Sequence, residues 1–277
     1  MVSFYINNKI ISDNIKTTDC QKKLSICLET NGFSFTVINE KNKMLAFGDV
    51  ACAFPETLSQ VITLIKQIFS DFGIEYALMG EVELIVPSNK CTWVPESLFD
   101  AAHARGYFNV LSPLDVKETV FYTYSEKLQA YSVFAYMDTI VSAFRVAIPG
   151  IKVRSQQSKM LDTSLLEKSR MKTVVEIYVR KKEFEIAVFD NKSLILSNIF
   201  RYDNKSDISY LLLLAIRHLN LNQDVMELYI SGMVDKDMFV SMERFFPKVI
   251  LYTGKKIDFS DNEMYRIPLY QYSMLLR

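Results

Sequence analysis

Glycine is scarce in this chain, with eight in 277 residues. A phosphate-binding loop needs bare backbone wherever amides approach the ligand closely, so a glycine-rich nucleotide loop would consume much of that supply. Neither a Walker A sequence nor a dinucleotide fingerprint occurs. The four cysteines, Cys20, Cys27, Cys52 and Cys91, contain no C-x-x-C pair, and two histidines, His103 and His218, are too few to complete a zinc set. The G-x-S-x-G elbow of a serine hydrolase is missing. No catalytic constellation and no metal ligands are expected. The longest strongly apolar run, Tyr210–Ile216, falls far short of the roughly 20 residues a membrane helix needs, so no span is expected. The first residues lack the basic-then-apolar order of a secretory leader, which points to the cytoplasm. The 32 basic and 32 acidic residues cancel, which is not the footprint of a general nucleic-acid binder.

What the chain does have is apolar mass. The hydrophobic share is 49%, with 19 Phe and 15 Tyr, enough for substantial packed cores. Leu24, Ile26 and Leu28 alternate with polar partners as in a half-buried strand. Asn31-Gly32 signals a hairpin, and Phe33–Asn39 and Met44–Phe47 complete a three-stranded meander. Thr57 opens a helix carrying Leu58, Val61, Ile62, Ile65, Ile68 and Phe69 on one face, and Gly73 ends it. Val82–Val86 reads as a strand and Glu96–Arg105 as a short helix closed by Gly106. Glu118–Tyr124 and Gln129–Tyr136 form a hairpin, Asp138 caps a helix through Ile148, and Lys159–Arg170 reads as another helix. The order then recurs. Thr173–Val179, Phe184–Phe189 and Leu194–Ile199 make a second meander. A helix capped by Asp207 runs to near Leu219, followed by the strand Glu227–Ile230, a helix over Asp237–Phe246 and a strand over Lys248–Tyr252. Leu58–Phe69 lines up with Ile208–Leu219, and Glu83–Val86 with Glu227–Ile230.

Two copies of strand–strand–strand–helix–strand, each extended by a helix, make an α/β chain with mixed sheets. That order resembles the actin-like ATPase fold, a duplicated ribonuclease-H-like architecture, and the chain resembles an uncharacterised Bacteroidetes family of unknown function assigned that fold. The resemblance implies two actin-like lobes, residues 1–155 with an inserted hairpin around 118–136, and residues 156–277. Each lobe is expected to be a meander–helix–strand–helix unit.

In actin-like ATPases an acid and a glycine-rich turn join the first two strands of each half. The matching turns here are Glu29-Thr30-Asn31-Gly32 and Arg180-Lys181-Lys182-Glu183; neither keeps the D-x-G order. The adenosine motif, a strand ending in paired glycines, is reduced to Ser231-Gly232. Glu29, Thr30, Asn31, Gly32, Arg180, Lys181, Lys182, Ser231 and Gly232 are thus the candidates for a degenerate nucleotide cleft, with ATP and magnesium as its cofactors if it functions and none otherwise. The erosion favours a pseudo-ATPase: a bacterial scaffold that binds a protein partner or itself, with the Tyr-rich tail Tyr265–Leu276 as its contact surface. The alternative is a nucleotide-binding protein or weak ATPase. Glu81 and Glu83 share one strand face, which is read as a strand entering from solvent.

Overall fold

The computed structural model describes residues 4–16, 21–108, 112–162 and 172–277. Packing divides the chain into two compact units, Met1–Asp162 with Lys256–Ile267 and Thr163–Lys255 with Pro268–Arg277.

The first unit opens with β1 (Phe4–Ile11), which the apolar pattern did not single out, and continues through β2 (Lys22–Glu29), β3 (Gly32–Asn39), β4 (Lys43–Cys52), α1 (Leu58–Asp71) and β5 (Glu81–Val86). Then come β6 (Cys91–Pro95), β7 (Glu118–Ser125), β8 (Ala130–Met137), α2 (Asp138–Ala147), β9 (Lys152–Ser155) and α3 (Gln156–Asp162). The main sheet has the order β1-β4-β3-β2-β5-β9. Its meander strands are antiparallel, and β5 and β9 join in parallel. The alternation seen in the sequence sends Leu24, Ile26, Phe33, Phe35 and Leu84 to one face, where α1 and α2 cover them. Aromatic edges lock that core: Phe33 meets Phe144 of α2 edge-on at 5.8 Å, and Phe35 meets Phe72 at 4.9 Å. β6, β8 and β7 form a separate antiparallel sheet, with the expected hairpin at its heart.

The second unit runs β10 (Thr173–Val179), β11 (Glu183–Asp190), β12 (Ser193–Arg201), α4 (Lys205–His218), β13 (Met226–Gly232), α5 (Lys236–Glu243) and β14 (Val249–Leu251). Its sheet order, β12-β11-β10-β13-β14, repeats β4-β3-β2-β5-β9 strand for strand, with the same antiparallel meander and parallel additions. Val175, Ile177, Val179, Ile186 and Leu228 pack under Ile208, Leu212 and Ile216 of α4 and Met238 and Met242 of α5. The short β15 (Asp258–Phe259) belongs to the first unit and pairs with Lys43 and Met44 of β4.

Several local expectations are corrected. Glu96–Arg105 is not one helix but two 3-10 segments, Glu96–Leu98 and Ala101–Phe108, and Gly106 lies inside the second. Asp138 is the first residue of α2, with Met137 at its N-cap. Asp207 is not the N-cap of α4: that place is Asn204's, and Asp207 reaches back to accept the Asn204 amide at 2.8 Å. The helix expected over Lys159–Arg170 is α3, which starts earlier; residues 163–171 lie outside the described residues. Leu58 is exposed rather than on the buried face of α1. The tail is exposed at Tyr265 but buries Met274, Leu275 and Leu276, which withdraws much of it as a contact surface.

Truncating Phe144 removes a fully buried ring that meets Phe33 and Phe54. Phe144→Ala should cost about 3–5 kcal/mol in urea unfolding. Tyr5→Ala, at an exposed position of β1, should stay within about 0.5 kcal/mol.

Candidate functional site at the turns and the buried sheet faces

The first turn is a tight hairpin in which Glu29 pairs with Gly32. Thr30 and Asn31 keep negative φ, and the left-handed demand falls on Gly32 at φ +136°. A Cβ at Gly32 would lie 1.9 Å from the Val50 carbonyl oxygen of β4. The glycine is therefore required by the chain's own packing. Glu29 is exposed as a residue, yet its carboxylate accepts the hydroxyl of buried Ser34 at 3.0 Å. Partial burial of that carboxyl and the charge of Asp49 raise its pKa above the ordinary carboxylate range, against the Ser34 hydrogen bond. A magnesium-managing acid needs the opposite bias.

At the second turn the three cations do not converge. The Arg180 guanidinium lies 3.3 Å from Glu183 and 3.5 Å from Glu185. Lys182, at φ +69°, lies 3.6 Å from the Asp203 carboxylate and donates to the Asp203 carbonyl at 3.3 Å. Lys181 is exposed. Ser231 and Gly232 end β13 as buried strand residues. Ser231 donates to the Ile177 carbonyl at 3.4 Å, and the Gly232 amide donates to Tyr270 O at 2.8 Å. A Cβ at Gly232, φ +88°, would meet Val179 O at 2.1 Å. Gly32, Ser231 and Gly232 do not fit a phosphate cradle, because their bare backbone and donors are packed against or bonded to neighbouring backbone within each unit. Among the described residues, no three His, Cys, Asp or Glu side chains gather as metal ligands.

The sheet faces opposite α1 and α2, and opposite α4 and α5, carry charges that sequence reasoning missed. Glu83 does not meet solvent: it is 1% exposed and accepts from Lys159 Nζ at 2.7 Å and Ser25 Oγ at 2.8 Å, with Lys23 Nζ at 3.1 Å. Burial alone would raise its pKa, but the Lys159 and Lys23 charges and these hydrogen bonds outweigh it and hold it at about 2. Burial lowers Lys159 to about 8, with Glu83 opposing. In the second unit Glu176 of β10 is ion-paired with Arg277, whose guanidinium stacks on Tyr252 at 4.6 Å. Glu227 accepts from Tyr229 Oη at 2.7 Å and pairs with Lys248. Glu185 of β11 has no exposed surface; burial raises its pKa to about 7 against the Arg180 and Arg277 charges, with Glu183 and Glu176 adding to the rise.

The family model described as a protein of unknown function (DUF3822) matches residues 12–249. The chain belongs to the DUF3822 family. A crystal structure from Bacteroides thetaiotaomicron, a protein with actin-like ATPase fold and unknown function, is similar at 23% identity and a TM-score of 0.70, over 87% of this chain and 93% of that one. A PilM–PilN type IV pilus biogenesis complex contains a chain similar at 7% identity and a TM-score of 0.60, over 92% of this chain and 96% of that one. No curated protein matches the sequence significantly. This DUF3822 chain therefore has the actin-like ATPase fold, as its element order implied. No helix among the described residues is long and apolar enough to cross a membrane.

Two measurements follow. Glu83, with its folded pKa depressed, stabilises the chain above its unfolded value near 4.5, and that contribution is lost as pH falls towards about 2. Glu185 has the opposite sign: its raised pKa means the folded state holds the extra proton, so stability falls as pH rises from 4.5 to about 7. Urea midpoints across pH should show both slopes, and Glu185→Gln should flatten the upper one. Gly232→Val should destabilise strongly because of φ and the Val179 clash, while Glu29→Ala stays near neutral, within about 0.5 kcal/mol.

Proposed function

We propose that this protein is a non-catalytic interaction module, a scaffold on a degenerate actin-like fold that has lost nucleotide use and works in the bacterial cytoplasm. The lobes, residues 1–155 and 156–277 in this reading, descend from a duplication, which the matching strand orders support. The observation that carries the reading is Arg180. At the turn where the fold's ATPases receive phosphate, its guanidinium is neutralised by Glu183 and buried Glu185. A phosphate would have to displace Glu183 and bring a second negative charge up to buried Glu185, whose own ionisation is already disfavoured there. The PilM–PilN complex supports the positive half of the proposal, since a chain of this fold there stands in a complex with another protein.

Thermal unfolding with magnesium and ATP tests the reading. A ligand at 100 times its dissociation constant would add about 2.7 kcal/mol. Millimolar nucleotide should leave the midpoint unchanged. A stabilisation that vanishes in Glu29→Ala would establish nucleotide binding instead.

A further inference from the structure

The two main sheets share one strand order but treat the same edge differently. In the first unit the last meander strand, β4, is flanked by β1 from Phe4↔Cys52 to Ile11↔Ala46. In the second, the corresponding strand β12 ends the sheet among the described residues. Natural edge strands are blunted by lysine, proline or bulges. β12 reads SLILSNIFR, with no proline and no charge before Arg201. Its one bulge is at Ile195, where Val188 pairs with Leu196 and Phe189 with Leu194; from Leu196 to Arg201 the ladder is regular. Along that run the Ile199 amide is not spent on β11: it donates to the adjacent Asn198 Oδ1 at 2.8 Å. A side chain holds the place of a neighbouring strand.

We propose that β12 pairs antiparallel with β12 of a second copy, about a two-fold axis at Asn198. This names the partner within the interaction-module reading. The strand is complementary to itself in that register. Leu196 falls opposite Phe200, an apolar pair, and Ser197 opposite Ile199, so the Ile199 amide exchanges Asn198 Oδ1 for the Ser197 carbonyl of the second copy. Arg201, already paired with Glu183 at 3.3 Å, falls opposite Ile195, well away from its own symmetry mate. At the ends Lys192 falls opposite Asn204 and Ser193 opposite Asp203 of the second copy, which sets no like charges face to face. An isologous two-fold contact of this kind closes on itself, so it yields a dimer and no fibre.

Sedimentation equilibrium of the full chain tests it. The wild type should reach the mass of two 32.0 kDa copies at micromolar concentration. Asn198→Lys sets two like charges face to face on the axis and should weaken the dimer about tenfold or more. Asn198→Asp should do the same. Asn198 is exposed, so both variants should keep the wild-type circular dichroism. Mixing the two should restore the dimer, which only this register provides. A monomeric wild type, a dimer indifferent to Asn198→Lys, or a mixture that stays dissociated would overturn the proposal. None of these outcomes bears on nucleotide, so the dimer and the loss of nucleotide binding fail separately.

Discussion

Carboxylates on central strands, out of water, must be met by cations from the same unit, and the architecture of both units depends on how that is done. Each sheet turns one face to its helices and fills it with aliphatic and aromatic side chains. The other face carries Glu83 on β5, Glu176 on β10, Glu185 on β11 and Glu227 on β13. Lys159, Arg277 and Lys248 meet three of them in hydrogen-bonded pairs, while Glu185 lies 3.5 Å from Arg180 and keeps a raised pKa. Burying such groups singly would cost more than the packing around them returns, whereas a pair with good geometry roughly offsets its own desolvation. The pairs therefore add little net stability, but removing one partner is expensive. That asymmetry fixes α3 and the C-terminal residues against their sheets.

Packing within each unit also accounts for the glycines at the turns. Gly32 and Gly232 each lie against a neighbouring strand's carbonyl, where any side chain would collide. Strand packing alone requires them. The Arg180 guanidinium lies 3.3 Å from Glu183 and 3.5 Å from Glu185.

The architecture was legible because period-two alternation in the meanders and the 3.6 period of α1 and α4 are local signals, and their repeated order specified the fold. β1 was not legible: FYINNKII alternates weakly and its partner β4 is distant in sequence. The 3-10 segments after β6 were read as a helix because spacing alone does not separate one turn type from another. At the candidate site the turn residues could be picked out by position, but their packing was invisible. Glu83 meets Lys159 across 76 positions and Glu176 meets Arg277 across 101, and no local pattern marks such a pair. Glu83 beside Glu81 looked like a solvent-facing pair for that reason.

A double-mutant cycle between Glu83 and Lys159 tests most directly whether the buried charges are structural. Glu83→Gln and Lys159→Met, measured by urea unfolding at neutral pH, should each cost about 3–5 kcal/mol, because each leaves a buried group without its partner. The double variant should recover much of that loss, giving a large favourable coupling. Additive losses, or single variants close to wild type, would contradict the account and return Glu83 and Lys159 to the list of groups available for chemistry.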